Sequence, residues 1–179
     1  MSVGAFIPNR IKNKTVVRVL EFMRRFGRRF HIAWRTSDRH SDNNRIAIRS
    51  IRSASGDHPK KYLENQNRYT RISYGKSDMA YAGCEIIAVY NALFSLGEEA
   101  DLHALIREFE HDGMVLGARF GTAPYAIRDS LIKRGYNVIT ELNAERFDET
   151  ADASDVLILM LYNDRRSIFM AFESLTDKL

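Results

Sequence analysis

Cys84 is the chain's single cysteine, and it stands between Gly83 and Glu85 at the head of the apolar segment AGCEIIAVYNALFSLG. A helix beginning there would aim its free backbone N–H groups and the positive end of its dipole at the sulfur, which stabilises a thiolate. The same N–H groups could receive an oxyanion, and Gly83 would let a substrate backbone come close. This is the arrangement a nucleophilic thiol requires. The structural alternative stays open on placement alone, because free cysteines are most often small buried hydrophobes. Glu85 opposes thiolate formation if its carboxylate turns toward the sulfur.

A thiol nucleophile needs a base within hydrogen-bond reach. Five histidines are available, His31, His40, His58, His103 and His111. The first three fall in the polar N-terminal third. His103 lies off the apolar face of its helix, where solvation is expected, and His111 lies near that helix's C-terminus, where a cation is favourable. No pair has HExxH spacing, one cysteine cannot build a thiolate zinc site, and no P-loop, GxGxxG or GxSxG is present. No metal or cofactor is expected.

The elements that would position Cys84 read clearly. Ile86, Ile87, Tyr90, Leu93 and Phe94 share a helical face that stops at Gly97. A second helix opens at Asp101, a good N-cap, and buries Leu102, Leu105, Ile106 and Phe109 before Gly113. A third has Thr122 as expected N-cap and Pro124 in its first turn, with Tyr125, Ile127, Leu131 and Ile132 apolar and Gly135 at its end. Strands follow at 136–140, at 156–162 (VLILMLY, a continuous run suited to burial on both faces) and at 167–172, the last two antiparallel. Helices before strands, without βαβ alternation, predict an α+β fold with a small antiparallel sheet that is incomplete.

With 179 residues, 45% hydrophobic, the chain suits one ordinary domain plus an extension. Its net charge of +4 conceals an asymmetry: residues 1–60 hold 14 Lys and Arg against 4 Asp and Glu, and residues 61–179 hold 13 against 19. The expected division is therefore a basic amphipathic extension over 1–34, a polar linker over 35–62 and a folded domain over 63–179. In the extension, Val16, Val19, Met23, Phe26, Phe30 and Ala33 form a stripe at helical spacing, with arginines largely off it. Residues 12–35 would either pack that stripe on the domain or lay it on an anionic membrane surface or a partner protein. No secretory signal or membrane span is evident, so a cytoplasmic location is expected, with peripheral membrane attachment open. A nucleic-acid role rests on charge alone and is not expected.

The run YAGCEIIAVYNALFSLGE, then DLHALIREFE, then GTAPYAIRDSLIKRGYNVI resembles the papain-like cysteine peptidases that process bacteriocin leader peptides, over roughly residues 64–172. The resemblance implies a papain-like fold, a peptide substrate or ligand, and Cys84 at the nucleophile position. It places Asp78 where the family carries its oxyanion-hole glutamine, six positions before the cysteine; an ionised aspartate accepts only and would repel an oxyanion. Gln66 and Asn67 lie too far upstream to match that motif. Where the family has its general-base histidine, this chain has Ser167, Ile168 and Phe169, and Gly-Cys-Glu replaces the usual Cys-Gly. A base would have to come from beyond Leu179 or from a partner chain. Two functions follow as expectations: acyl transfer on a peptide or amide bond through a Cys84 thioester, or a non-catalytic relative that binds a peptide or partner.

Overall fold

The computed structural model describes residues 2–6, 11–29, 38–54, 62–141, 144–162 and 168–174. At its centre is α4 (Cys84–Ser95), the most apolar helix, which buries Ile86, Val89, Tyr90 and Leu93. It packs against α5 (Leu102–Asp112) and α6 (Pro124–Lys133) and against strands β5 (Val156–Tyr162) and β6 (Ile168–Ser174). The short helix α3 (Met79–Ala82) leads into it, and α7 (Phe147–Asp152) precedes β5.

Helix α5 follows its sequence pattern closely. Asp101 caps it by accepting from the His103 backbone N–H at 2.9 Å, and Leu102, Leu105, Ile106 and Phe109 are all buried. In α6 the expected capping residue is displaced. The N-cap is Ala123, Pro124 occupies the first turn, and Thr122 instead joins a bridge to Met114. Its hydroxyl is taken by Tyr74, which explains why it does not cap.

Two antiparallel neighbours, β5 and β6, pair in the expected register region, from Val156 opposite Ser174 to Tyr162 opposite Ile168. The sheet as a whole differs from expectation. It has four strands in the order β4-β1-β5-β6, and β1 (Ser2–Phe6) runs parallel to both β4 (Asn137–Glu141) and β5. The sheet is therefore mixed, and a strand from the supposed extension fills a central position. SVGAF is short, lacks period-2 alternation and contains Gly4 and Ala5, so nothing local marks it as a strand.

The expected linker is also corrected. Within 35–62, residues Asp38–Ala54 form the 17-residue helix α2. It docks on α5 and on strand β2 (Ser73–Tyr74), which forms a hairpin with β3 (Ser77–Asp78), and buries Ile48 in the core. Buried Asn44 clamps the hairpin at two points: its side-chain amide donates to the Ser73 carbonyl at 2.9 Å, and its oxygen accepts from the Ser73 N–H at 2.7 Å. Ser41 reaches His103 Nε2 at 2.8 Å, so that histidine is engaged by α2 rather than left to solvent.

Of the two orientations open to helix α1 (Ile11–Arg29), the structure has Val19 and Phe26 of its apolar stripe turned outward. The side turned inward carries Val17, Glu21 and Arg24, exposed by only 3, 6 and 4%, while Val19, Phe22 and Phe26 are exposed by 49, 68 and 47%. Met23 is half-buried; Phe30 and Ala33, assigned to the same stripe, lie outside the described residues. Apart from Val17, the inward contact is ionic. Arg24 donates two hydrogen bonds to Glu21 (2.8 and 2.7 Å), one to Asp129 (2.9 Å) and one to the Asp112 carbonyl (3.0 Å). Burial alone would raise Glu21 and Asp129, but their arginine partners outweigh it and hold both carboxyls below their ordinary range.

Breaking a buried pair strands a charge, so Arg24→Ala should lower stability by about 3–5 kcal/mol. Thermal denaturation should show this as a drop of roughly 10 °C. The double variant Glu21→Leu with Arg24→Met removes both charges and should recover most of the loss; no recovery would mean that the ion pair is not what fixes α1.

Candidate functional site at the start of helix α4

Gly83 sets the geometry of the site. It closes α3 by donating its N–H to the Met79 carbonyl at 3.0 Å and serves as N-cap of α4. A Cβ there would lie 2.5 Å from that carbonyl oxygen and 2.6 Å from the Met79 side chain, so the junction admits only glycine. Cys84 follows as the first residue of α4, where the expectation placed it, and is half-buried.

Its thiol donates to Glu85 Oε2 at 3.0 Å. Burial is the largest influence on the thiol, followed by the charge of Glu85 and the hydrogen bond to it, and together these push it well above its ordinary value. The backbone N–H groups of Glu85 and Cys84, the helix-terminus effect anticipated for a nucleophile, oppose that shift and do not overcome it.

Glu85 is buried, with 3% of its surface exposed. Burial raises its carboxyl to about 7, against the opposing pull of the Cys84 thiol, its own N–H and the Thr122 N–H. The Thr122 contact comes from the loop between α5 and α6. That loop folds back on itself through bonds from Val115 N–H to the Gly121 carbonyl (3.0 Å) and from Ala123 N–H to the Gly113 carbonyl (3.0 Å). Behind Thr122 the polar array continues: the Tyr74 hydroxyl is 2.8 Å from Thr122 Oγ1, and Gly75 N–H donates to buried Glu110 at 3.0 Å. Burial raises the Tyr74 hydroxyl well above its ordinary value, and neighbouring Glu85 and Glu110 add to the rise.

Asp78 does not join this array. It is the N-cap of α3, and its carboxylate accepts from the Tyr81 N–H at 2.8 Å. Gln66, which lies too far upstream for the family's motif, donates to the Met79 carbonyl at 3.0 Å. Of the described histidines, His103 is engaged by Ser41, His111 by Asp112, and His40 is exposed on α2. His31 and His58, like Ser167 at the family's base position, lie outside the described residues. Sequence reasoning therefore located Cys84 and weighed Glu85 only as an opponent of the thiolate. It missed Tyr74, Glu110 and Thr122. The signal for Glu85 was present, since it is the one charged side chain in the most apolar helix.

Two exposed aromatic side chains stand nearby in the chain: Tyr81 on α3, three residues before Cys84 and exposed by 70%, and Phe120, exposed by 60%, in the loop whose Thr122 N–H reaches Glu85. A separate cleft of about 260 Å³ opens between α5 and α6 beside Arg24, and neither Cys84 nor Glu85 lines it. Among the described residues no cluster of three metal-ligating side chains occurs, and no helix is long and apolar enough to cross a membrane. The chain matches no family model, no curated protein and no solved structure.

Glu85 ties stability to pH with a definite sign. Its folded value, about 7, lies above the ordinary 4.5, so its contribution is complete below 4.5 and is lost as pH rises through 7. That displacement corresponds to about 3 kcal/mol. Glu85→Gln should flatten the fall in melting temperature between pH 5 and 8, read by circular dichroism; an unchanged fall would assign it to other groups.

Proposed function

We propose that the chain is a non-catalytic relative of the papain-like cysteine peptidases that binds a peptide or partner segment beside Cys84. The observation that carries the reading is the Cys84–Glu85 hydrogen bond, which keeps the thiol protonated and serving as a donor. A nucleophile needs the opposite, a partner that removes the proton or stabilises the anion. The family likeness of residues 64–172 supports the papain-like part of the reading, and exposed Tyr81 and Phe120 supply apolar contact area for a bound peptide. Asp78, occupied as a helix cap, is not available as an oxyanion donor.

One observation favours a second reading. A carboxyl raised to about 7 and hydrogen-bonded to a thiol has the properties of a general base operating near neutrality. Glu85 would then take the Cys84 proton as sulfur attacks a peptide or amide carbonyl and pass it to the nitrogen as the C–N bond breaks, leaving a thioester and a free amine.

Alkylation of the single cysteine by iodoacetamide separates the two. On the binding reading, wild type reacts with an inflection well above ~8.5, and Glu85→Gln lowers that inflection and speeds reaction at pH 8 by about tenfold, because a repelling charge has gone. If Glu85 is the base, wild-type reactivity rises near pH 7 and Glu85→Gln slows it by about a hundredfold. Binding itself is tested with peptides selected from a displayed library on the full chain. Tyr81→Ser and Phe120→Ser should each weaken them about tenfold. Selection that yields no binder would end the binding reading.

A further inference from the structure

We propose that the outward face of α1 docks on an anionic lipid bilayer. This rests on the orientation of that helix and is independent of the Cys84 site. An amphipathic helix on a folded domain ordinarily turns its apolar stripe inward. Here the inward side holds the Glu21–Arg24–Asp129 network, and Val19, Phe22 and Phe26 project outward at spacings of three and four. The Phe22 and Phe26 rings lie 6.2 Å apart, so the two aromatic side chains form one continuous patch.

Charge selects the occupant. Helix α1 contains seven Lys and Arg and one acidic residue, Glu21, which is buried and bonded to arginines. Arg18 precedes Phe22 by four positions and Arg25 follows it by three, so both exposed cations run alongside the patch. Aromatic and aliphatic side chains that enter the acyl boundary beside arginines that meet headgroup phosphates are the pattern of an interfacial helix. A second copy of this chain would instead bring two strongly cationic helices together.

The test is flotation of the full chain with vesicles of phosphatidylcholine alone and of phosphatidylcholine with one-fifth phosphatidylserine, at low and high salt. Binding is expected only to the anionic vesicles and should fall as salt rises. Phe22→Ser with Phe26→Ser should reduce it at least about tenfold, and Arg18→Glu should also weaken it. These positions are exposed, so the variants should keep the wild-type melting temperature. Equal binding to neutral vesicles, or none to either, would overturn the proposal. So would sedimentation showing a dimer that the Phe22 and Phe26 changes dissolve, which would make the patch a contact between copies.

Discussion

Nearly every feature of the candidate site follows from burying a carboxyl group at the first turn of α4. The helix is enclosed by α5, α6, β5 and β6, so Glu85 cannot turn to solvent and must find its partners within the fold. It accepts from the Cys84 thiol and from the Thr122 N–H. The first partner fixes the protonation state of the sulfur. The second requires the loop between α5 and α6 to close on itself, which takes Thr122 away from the capping position and gives its hydroxyl to Tyr74. A thiol at a helix N-terminus is thus not sufficient for activation. The dipole favours the anion, but an adjacent buried carboxylate opposes it at shorter range.

The basic N-terminal third obeys a different constraint. Arg24 is buried with four hydrogen bonds to Glu21, Asp129 and the Asp112 carbonyl, so the charge it carries into the interface is paired. Ionic docking of this kind is directional. It sets the rotation of α1 about its axis through specific atoms, whereas an apolar stripe could settle over a range of angles.

What was legible in the sequence was local. Helix α5 could be read from Asp101 to Gly113 because capping chemistry and a 3.6-residue apolar period both act within one turn or two. The β5–β6 pair was legible for the same reason, its runs being strongly apolar and the sequence between them carrying turn-favouring Asn163 and Asp164. Strand β1 was not, because its evidence lies in pairing with residues far along the chain. Helix α2 was hidden by a polar composition whose decisive residue, Asn44, works through hydrogen bonds to Ser73 that no hydropathy pattern encodes. For α1 the apolar period is legible but the side that packs is not, since burial of Glu21 and Arg24 depends on Asp129 and the Asp112 carbonyl. At the site, Cys84, its glycine and the conditional influence of Glu85 are legible, but whether the Glu85 carboxylate turns toward the sulfur depends on a side-chain rotamer.

The position of β1 also bears on how the molecule comes to exist. Ser2 pairs with Asn137 and Val3 with Val156, so 135 and 153 positions separate partners within one sheet. On a ribosome, this strand is made well before either of its sheet neighbours, and it waits for more than a hundred further residues before one is available. Long-range parallel pairing of this kind closes large loops before contacts compensate for them, which slows folding. Until then, residues 2–6 present unpaired backbone groups that another nascent chain could engage. Production of this protein is therefore governed by the order of synthesis as well as by the stability of the finished fold, and its yield should respond to chaperone supply and temperature during translation.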